Sequence, residues 1–248
     1  MFDFDDHDLT RRHTAGNASG VSEGAHFVDE AITSRRSIRG FTDQPVPRDL
    51  IEHLLLVSAR APSGTNMQPW RSYVVTGAAK ERLTATILDM NANQPETEPR
   101  RWKYYPDDFP PLYKARRRKI GLDLYGLAGI EKGDTEGAAR QRNRNYDFFG
   151  APVGMIFTIS DELETGSWLD YGCFIQNIMT AARGYGLHTC PQAIFADVPM
   201  AVRKVVPISD EEIIVCGMSV GYVDESVDVN ALETERAPLG EWVDFIED

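Results

Sequence analysis

The segment VGMIFTIS, residues 153–160, is apolar at nearly every position. A strand with one face in water alternates apolar and polar residues, whereas a strand covered on both faces is a nearly continuous apolar run. Residues 212–224, EIIVCGMSVGYVD, have the same character, and residues 72–76, SYVVT, form a shorter strand-like segment. These three segments predict a sheet that is buried on both faces.

Apolar residues at helical spacing lie between the strand-like segments. One such stripe contains Leu50, Ile51 and Leu54. A second lies within residues 79–90, and the longest helical pattern spans about 167–183. Helices that alternate with strands predict an α+β or α/β fold in which helices cover the sheet.

The length of 248 residues suits one large domain, since a domain commonly has roughly 100–200 residues. Residues 1–24 have no apolar core, and we expect them to form a flexible arm. The stretch at about 91–145 is polar and proline-bearing at first and charged later, which predicts a lid-like insertion rather than a second core. We therefore expect a single domain at 25–248.

The sequence has no features of a membrane or secreted protein. No apolar run reaches the roughly 18 residues that a membrane helix needs, and the N-terminus lacks the apolar core of a signal peptide. Cys173, Cys190 and Cys216 are too scattered for a disulfide framework or a zinc site. We expect a cytoplasmic protein with cysteines in its core and no metal.

The charge of the chain is unevenly distributed. The net charge is −12, which argues against binding to nucleic acid. Between Arg100 and Arg144, however, there are 12 Lys and Arg residues against 6 Asp and Glu. This basic island can guide a small anion to one place, or it can be a solvated helix face.

Several common catalytic motifs are absent from the sequence. Gly184 and Gly186 have no third glycine at the spacing of a dinucleotide-binding loop, and they follow a helix rather than a strand. There is no phosphate-binding loop of the GxxxxGK type, no HExxH and no GxSxG. The five histidines form no metal-ligand spacing, and the role of His188 stays open.

Two clusters remain. Residues 34–39, SRRSIR, place three arginines around a serine at the end of a helix, where forked guanidinium groups and a hydroxyl can hold a phosphate. Residues 61–70, APSGTNMQPW, form a proline-bounded loop whose backbone and amide groups can hydrogen-bond a planar heterocycle. Trp70 is expected to be a core anchor.

Together the two clusters resemble the nitroreductase family of FMN enzymes, which has R-R-S-x-R at the end of a helix and then A-P-S-x-x-N-x-Q-P-W. A family loop after the long helix corresponds to residues 186–193, and a family basic residue near the C-terminus corresponds to Arg236. The resemblance covers about 25–239 and is interrupted by the insertion. It implies a three-layer α/β/α sandwich of the α+β class, with a mixed sheet flanked by helices, in an intertwined homodimer.

The resemblance assigns the charged residues to one end of the FMN. Arg35, Ser37 and Arg236 would bind the phosphate. Arg39 would lie by the pyrimidine end of the ring system, where positive charge stabilises the reduced form. Arg36 would also lie at the cofactor, although this position varies in type among relatives.

The resemblance assigns the remaining residues to the ring system. Asn66 would hydrogen-bond the edge of the ring system, and Ser63 and Gly64 would contact FMN from the partner subunit. The backbone of Pro191, Gln192 and Ala193 would lie along the other edge of the ring system, with an N–H near flavin N5. The expected set is Ser63, Gly64, Asn66, Gln68, Pro191, Gln192 and Ala193.

The implied activity is transfer of hydride from NADH or NADPH through flavin N5 to a nitroaromatic acceptor, in a ping-pong cycle. No catalytic side chain is expected, because the cofactor carries the chemistry. The insertion would form a wall above the flavin, and its basic residues suit anionic or electron-poor nitroarenes. Its aromatic residues are Trp102, Tyr104, Tyr105, Phe109, Tyr113 and Tyr125.

Two alternatives stay open. Ser63 and Gly64 also resemble the corresponding pair in reductive dehalogenases such as iodotyrosine deiodinase, although the Glu, Tyr and Lys of their substrate lid have no clear counterpart in the insertion. The chain could instead be a flavin-binding module without significant turnover.

Overall fold

The computed structural model describes residues 23–93 and 98–247, so the expected arm at 1–24 lies almost wholly outside the described residues. The described chain forms seven α-helices, four β-strands and five short 3-10 helices. The α-helices are α1 (Glu23–Ser34), α2 (Arg48–Ser58), α3 (Gly77–Asn93), α4 (Pro111–Leu127), α5 (Thr135–Asn143), α6 (Thr165–Gly184) and α7 (Pro199–Arg203). The strands are β1 (Arg71–Thr76), β2 (Val153–Ser160), β3 (His188–Gln192) and β4 (Glu212–Gly221).

The four strands form one sheet in the order β1-β2-β4-β3. Every neighbouring pair of these strands is antiparallel. The parallel part of the sheet, within the described residues, is a single bridge between Ser37 and Thr189 at the β3 edge. The expected mixed sheet therefore has its parallel component only there.

Helices cover both faces of the sheet, as the uninterrupted apolar runs predicted. On β2, Met155 and Phe157 are fully buried in a core shared with α2 and α6. Ile156 points the other way, into a core shared with α3 and α7. Strand side chains alternate between faces, so the two cores define the three layers of an α/β/α sandwich, and the predicted fold class is confirmed.

Two glycines allow an aromatic pair to lie flat against the sheet. Phe148 stacks on Phe195 with ring centroids 4.7 Å apart. A Cβ on Gly154 would come within 2.5 Å of the Phe148 ring, and one on Gly217 within 2.4 Å of the Phe195 ring. The pair holds the 3-10 helix Ala193–Asp197 close to the sheet, directly after β3.

The prediction that residues 186–193 form a loop is wrong. Residues 188–192 form strand β3, which pairs with β4 from His188 to Gln192. Proline has no N–H and is therefore confined to sheet edges. Pro191 is accommodated because β3 is the last strand of the sheet. The segment thus presents its backbone on a fixed edge.

The helices of the insertion differ from those of the sandwich. Helix α4 has no buried residue among those described, and Ile120, Leu124 and Leu127, which lie at helical spacing, are only half-buried. The placement of 91–145 as an insertion on a single domain stays a prediction. No helix in residues 23–93 or 98–247 combines the length and apolar character needed to span a bilayer.

Candidate functional site

The Arg35–Arg39 segment leaves α1 as extended backbone and joins the edge of the sheet. The Ile38 N–H donates to the Thr189 carbonyl over 3.1 Å. Ile38 is completely buried, and side chains alternate along extended backbone. Ser37 and Arg39 therefore project away from the core, beside β3.

A buried asparagine fixes the backbone at Arg39. The Asn230 Oδ1 accepts from the Arg39 N–H at 2.7 Å, and its Nδ2 donates to the carbonyls of Gly40 and Asp224, both at 2.8 Å. The Arg39 guanidinium in turn donates to the Ser37 carbonyl at 3.1 Å. Sequence reasoning missed Asn230, since no local pattern marks it as part of the site.

Positive charge is concentrated at this junction. Burial and the nearby Arg236 lower the pKa of Arg35. The neighbouring Cys190 is fully buried, and burial raises the pKa of its thiol to about 11 despite the charges of Arg39 and Arg35. None of the ion pairs among the described residues includes Arg35, Arg39 or Arg236. These three guanidinium groups leave a net positive site.

A second group of side chains supports the same junction from α6. Arg183 donates to the Ser34 Oγ at 3.1 Å and to the Leu187 carbonyl at 3.1 Å, and it lies 2.8 Å from the His188 Nε2. Burial first, then the charges of Arg183 and Arg36, lower the pKa of His188 to about 4. A neutral imidazole can accept from arginine. Arg183 and His188 thus tie the end of α1 to the start of β3.

The side chain of Gln192 points into the core. It donates to the Asn145 carbonyl at 2.7 Å and accepts from the Ser219 hydroxyl at 2.8 Å. Its amide is therefore committed to structural bonds, and what remains at the edge is the backbone of Pro191, Gln192 and Ala193. The Ala193 carbonyl accepts from Arg100 at 2.9 Å.

The loop of the second sequence cluster is locally strained. Thr65, Asn66 and Gln68 have φ values of 50°, 60° and 51°, a region that non-glycine residues seldom adopt. The Ser63 hydroxyl accepts from the Gln68 N–H at 3.0 Å, and the Gly64 N–H donates to Asp170 at 3.0 Å. Strain of this kind is often found at binding loops.

Within one chain, the two clusters lie far apart. The loop is attached to α6 at Asp170. Arg35, Arg39 and Arg236 form what we call the cation cluster, and its segment is attached to α6 at Arg183. A helix rises 1.5 Å per residue, so the two attachment points are about 20 Å apart. The structure therefore brings Arg35, Arg36, Ser37, Arg39 and Arg236 together with the backbone of 191–193. It does not bring Ser63, Gly64, Asn66 and Gln68 to the same place.

Trp70 is half-buried and packs against the core shared by β2, α2 and α6. Its ring stacks on Phe174 at 4.9 Å between centroids, with an interplanar angle of 8°. Cys190 and Cys216 are also buried, whereas Cys173 is half-buried. Within residues 23–93 and 98–247, no three His, Cys, Asp or Glu side chains come together as a metal ion requires.

The insertion begins with a chain of aromatic rings. Trp102, Tyr104, Tyr105 and Phe109 contact one another in sequence at centroid distances of 4.5–5.4 Å. The guanidinium of Arg117 lies over the rings of Tyr105 and Phe109, at 5.2 and 4.7 Å. Helix α4 is also paired with the C-terminal tail, through Arg116 with Glu241 and Lys119 with Glu235.

The geometry of the cation cluster fits a phosphate. Two like charges, Arg35 and Arg236, lie near each other, and neither forms an ion pair with a carboxylate among the described residues; Ser37 lies on the same segment as Arg35. An anion with several acceptor oxygens would relieve their repulsion and match their forked donors. The adjacent backbone edge at 191–193 can border a flat group. The fold and site therefore define a three-layer α+β protein whose cation cluster and backbone edge are suited to a phosphorylated planar ligand.

The comparison with protein families agrees with this class. The model of the nitroreductase family matches residues 32–222 of the chain. That match covers more than half of the chain and includes Arg35, Arg39 and β3, whereas Arg236 lies beyond its end. The chain belongs to the nitroreductase family.

Two relatives and one solved structure match the chain over 90% or more of their own length. The chain is 44% identical over 208 residues to a 4-nitrobenzoate reductase of Pseudomonas putida, which covers 84% of this chain and 90% of that protein. It is 39% identical over 220 residues to a chloronitrobenzene nitroreductase of Comamonas testosteroni, covering 89% and 97%. A solved structure is also similar, that of the FMN-dependent nitroreductase NfnB of Mycobacterium smegmatis in complex with NADPH. The TM-score is 0.86 at 28% identity, and the match covers 91% of this chain and 100% of that one.

Proposed function

We propose that this chain is an FMN-dependent oxidoreductase that uses NADH or NADPH to reduce nitroaromatic compounds. The observation that carries the proposal is the unneutralised cluster of Arg35, Arg39 and Arg236 beside the backbone edge of β3. The names of the relatives and the NADPH-bound structure support the same activity. FMN, when bound, supplies a ring that accepts a hydride and passes it on. The cytoplasmic location expected from the sequence stays a prediction.

The residues at the junction would bind and orient the cofactor. Arg35 and Arg236 would hold the phosphate with Ser37, and Arg39 would place positive charge at the pyrimidine end. Arg39 is suited to this role because Asn230 fixes its backbone and its own guanidinium is tied to the Ser37 carbonyl. Arg36 is better assigned to its exposed ion pair with Glu233, at 3.7 Å.

We also propose that two copies of the chain share each site. The loop with Ser63, Gly64 and Asn66 is attached to the opposite end of α6, too far away to reach a ligand held by its own Arg35. Large apolar side chains are exposed on the single chain, and such surfaces mark interaction sites. They include Phe27, Val28, Ile32, Met67, Leu169, Trp242, Phe245 and Ile246.

Mixing two defective variants tests the shared site. Arg35→Ala and Asn66→Leu should each lose most activity as homodimers. Unfolding and refolding the two variants together should restore part of the activity, because a mixed dimer contains one site with neither substitution. Mixtures that stay as inactive as the separate variants would show that both residues serve the same chain's site.

For the acceptor, we propose a nitroarene that carries a negative charge. A cavity of about 540 Å³ is lined by the rings of Tyr105, Phe109 and Tyr113, by the guanidinium of Arg117 and also by the carboxylate of Asp108. Aromatic walls suit stacking on a flat ring, and a cation above them suits a carboxylate. The similarity to a 4-nitrobenzoate reductase supports this choice.

Anaerobic reduction and reoxidation test the activity. The purified protein should be yellow, should bleach on addition of NADPH or NADH, and should regain colour on addition of 4-nitrobenzoate. Recovery with iodotyrosine but not with nitroarenes would indicate a dehalogenase instead. A yellow protein that neither nicotinamide reduces would indicate a binding module. Parallel lines in double-reciprocal plots would support a ping-pong cycle.

A further inference from the structure

Arg100, at the start of the insertion, makes three contacts at once. Its Nε lies 2.7 Å from the Asp197 carboxylate, and its Nη2 donates to the Ala193 carbonyl at 2.9 Å. Its guanidinium also lies over the Trp102 ring at 4.7 Å from the centroid. The side chain is only 18% exposed. Such a fixed guanidinium differs from the mostly exposed cations of α4.

The acceptor of that bond lies at a sensitive place. Ala193 directly follows β3 and is the last residue of the backbone edge that borders the proposed cofactor site. Asp197 is at the far end of the same 3-10 helix, Ala193–Asp197. Arg100 therefore bridges both ends of this short helix. Trp102, whose ring contacts the Arg100 guanidinium, is itself attached to β4, because its indole N–H donates to the Ile214 carbonyl at 2.9 Å.

We propose that Arg100 is a positioning residue of the flavin site: it holds the backbone edge at 191–193 in register and places a positive charge behind it. The proposal rests on the function proposed above. A hydrogen bond from a cation to a peptide carbonyl polarises the bonds connected to it. The charge itself also favours the negative charge that the cofactor gains on reduction. Arg100 would act through Ala193, without touching the substrate.

The neighbouring arginine provides a matched control. Arg101 also binds one carboxylate and one backbone carbonyl, those of Asp161 at 2.8 Å and Asp210 at 2.9 Å. Its partners lie at the turns beyond β2 and before β4, away from residues 191–193. Loss of either arginine removes the same kinds of bonds from the same part of the insertion. The two substitutions thus separate attachment of the insertion from positioning of the backbone edge.

The experiment compares Arg100→Gln, Arg100→Lys and Arg101→Gln in the FMN-loaded protein. The measurements are the midpoint potential, the rate of cofactor reduction by NADPH in stopped flow, and hydrogen exchange of residues 193–197. For Arg100→Gln we expect a more negative potential, faster exchange and a fall in rate of about tenfold, as misplacement of a site's backbone produces. Arg101→Gln should leave the rate and the potential unchanged.

Arg100→Lys separates the charge from the geometry. Lysine keeps the charge but cannot span both acceptors with a rigid fork, so it should retain the potential and lose part of the rate. Equal effects of Arg100→Gln and Arg101→Gln, or an unchanged potential in Arg100→Gln, would show that Arg100 only attaches the insertion. Failure of the proposed function would be visible in the unsubstituted protein, which would then not be reduced at all.

Discussion

The cation cluster at the C-terminal end of α6 and helix α4 of the insertion are both basic, but they are built differently. In the cluster, backbone hydrogen bonds of Ile38 and Arg39 fix the segment that carries Arg35 and Arg39 before any ligand arrives, whereas Arg236 lies exposed on the tail. On α4, the cations are exposed and pair with exposed carboxylates of the tail. Preorganised groups lose little freedom on binding. We therefore expect the cluster to bind the cofactor strongly and the insertion to select the acceptor weakly, in a way that depends on salt.

The largest expected effect is at Arg35. Replacing it with alanine should weaken FMN binding by about 10- to 100-fold, because a hydrogen bond to a charged group contributes roughly 1.5–3 kcal/mol. Arg36→Gln should weaken it by less than about threefold, since an exposed ion pair contributes little. Fluorescence of released FMN in a dilution series measures both dissociation constants.

Neighbouring residues make this pair a direct test of the site. Each substitution removes one guanidinium, so the net charge of the protein changes equally in both variants. Because Arg35 and Arg36 are consecutive on extended backbone, their side chains project in different directions. Equal losses of affinity would mean that the cluster attracts FMN only through its total charge. A larger loss of FMN affinity in Arg36→Gln than in Arg35→Ala would assign the phosphate contact to Arg36 instead of Arg35.

A smaller effect is expected at His188, which supports the cluster from behind. Its pKa in the folded protein is about 4, below the ordinary value of 6.5. Between these values the unfolded chain binds more protons, so the free energy of unfolding falls as pH decreases from 6.5 to 4. Because the ring is half-exposed, we expect a loss of about 1 kcal/mol.

Urea unfolding at several pH values measures this loss. His188→Gln should remove that part of the pH dependence, whereas His26→Gln, at an exposed position of α1, should leave it as in the unsubstituted protein. If the pH dependence were the same in all three proteins, the imidazole would not be held neutral by Arg183 and burial.

The sequence predicted the layers of the fold well because each layer depends on local periodicity. Leu50, Ile51 and Leu54 are buried on α2 as the helical spacing indicated, and β2 is buried along nearly its whole length. The error at β3 has a physical cause. Pro191 and a short polar strand resemble a loop locally, and only pairing with β4 makes them a strand.

The candidate site was predictable only in part. Arg35, Ser37 and Arg39 stand in one motif, so the sequence indicated them directly. Asn230 and Arg183 support that motif from distant parts of the chain, and Arg100 supports the backbone at Ala193. These roles follow from tertiary contacts that no local pattern encodes.

The smallest expected effect is at Arg117 in the insertion. Arg117→Gln should raise the KM for 4-nitrobenzoate by about three- to fivefold at low salt, since one charge near the surface contributes about 1 kcal/mol. The KM for neutral nitrobenzene should not change. Added salt should remove the difference, because exposed charges are screened beyond roughly 10 Å at 0.1 M.

The control for Arg117 is Arg48→Gln, on α2, where the arginine is exposed and pairs with Glu52. It changes the net charge equally and should alter neither KM, so an effect confined to Arg117 would place carboxylate recognition on the insertion. Equal, salt-independent KM values for the two substrates in the unsubstituted protein would contradict any charge preference. If Arg117→Gln raised the KM for nitrobenzene as well, the guanidinium would serve mainly to pack Tyr105 and Phe109. In that case the insertion would select acceptors by shape, and the contrast with the cation cluster would be one of rigidity alone.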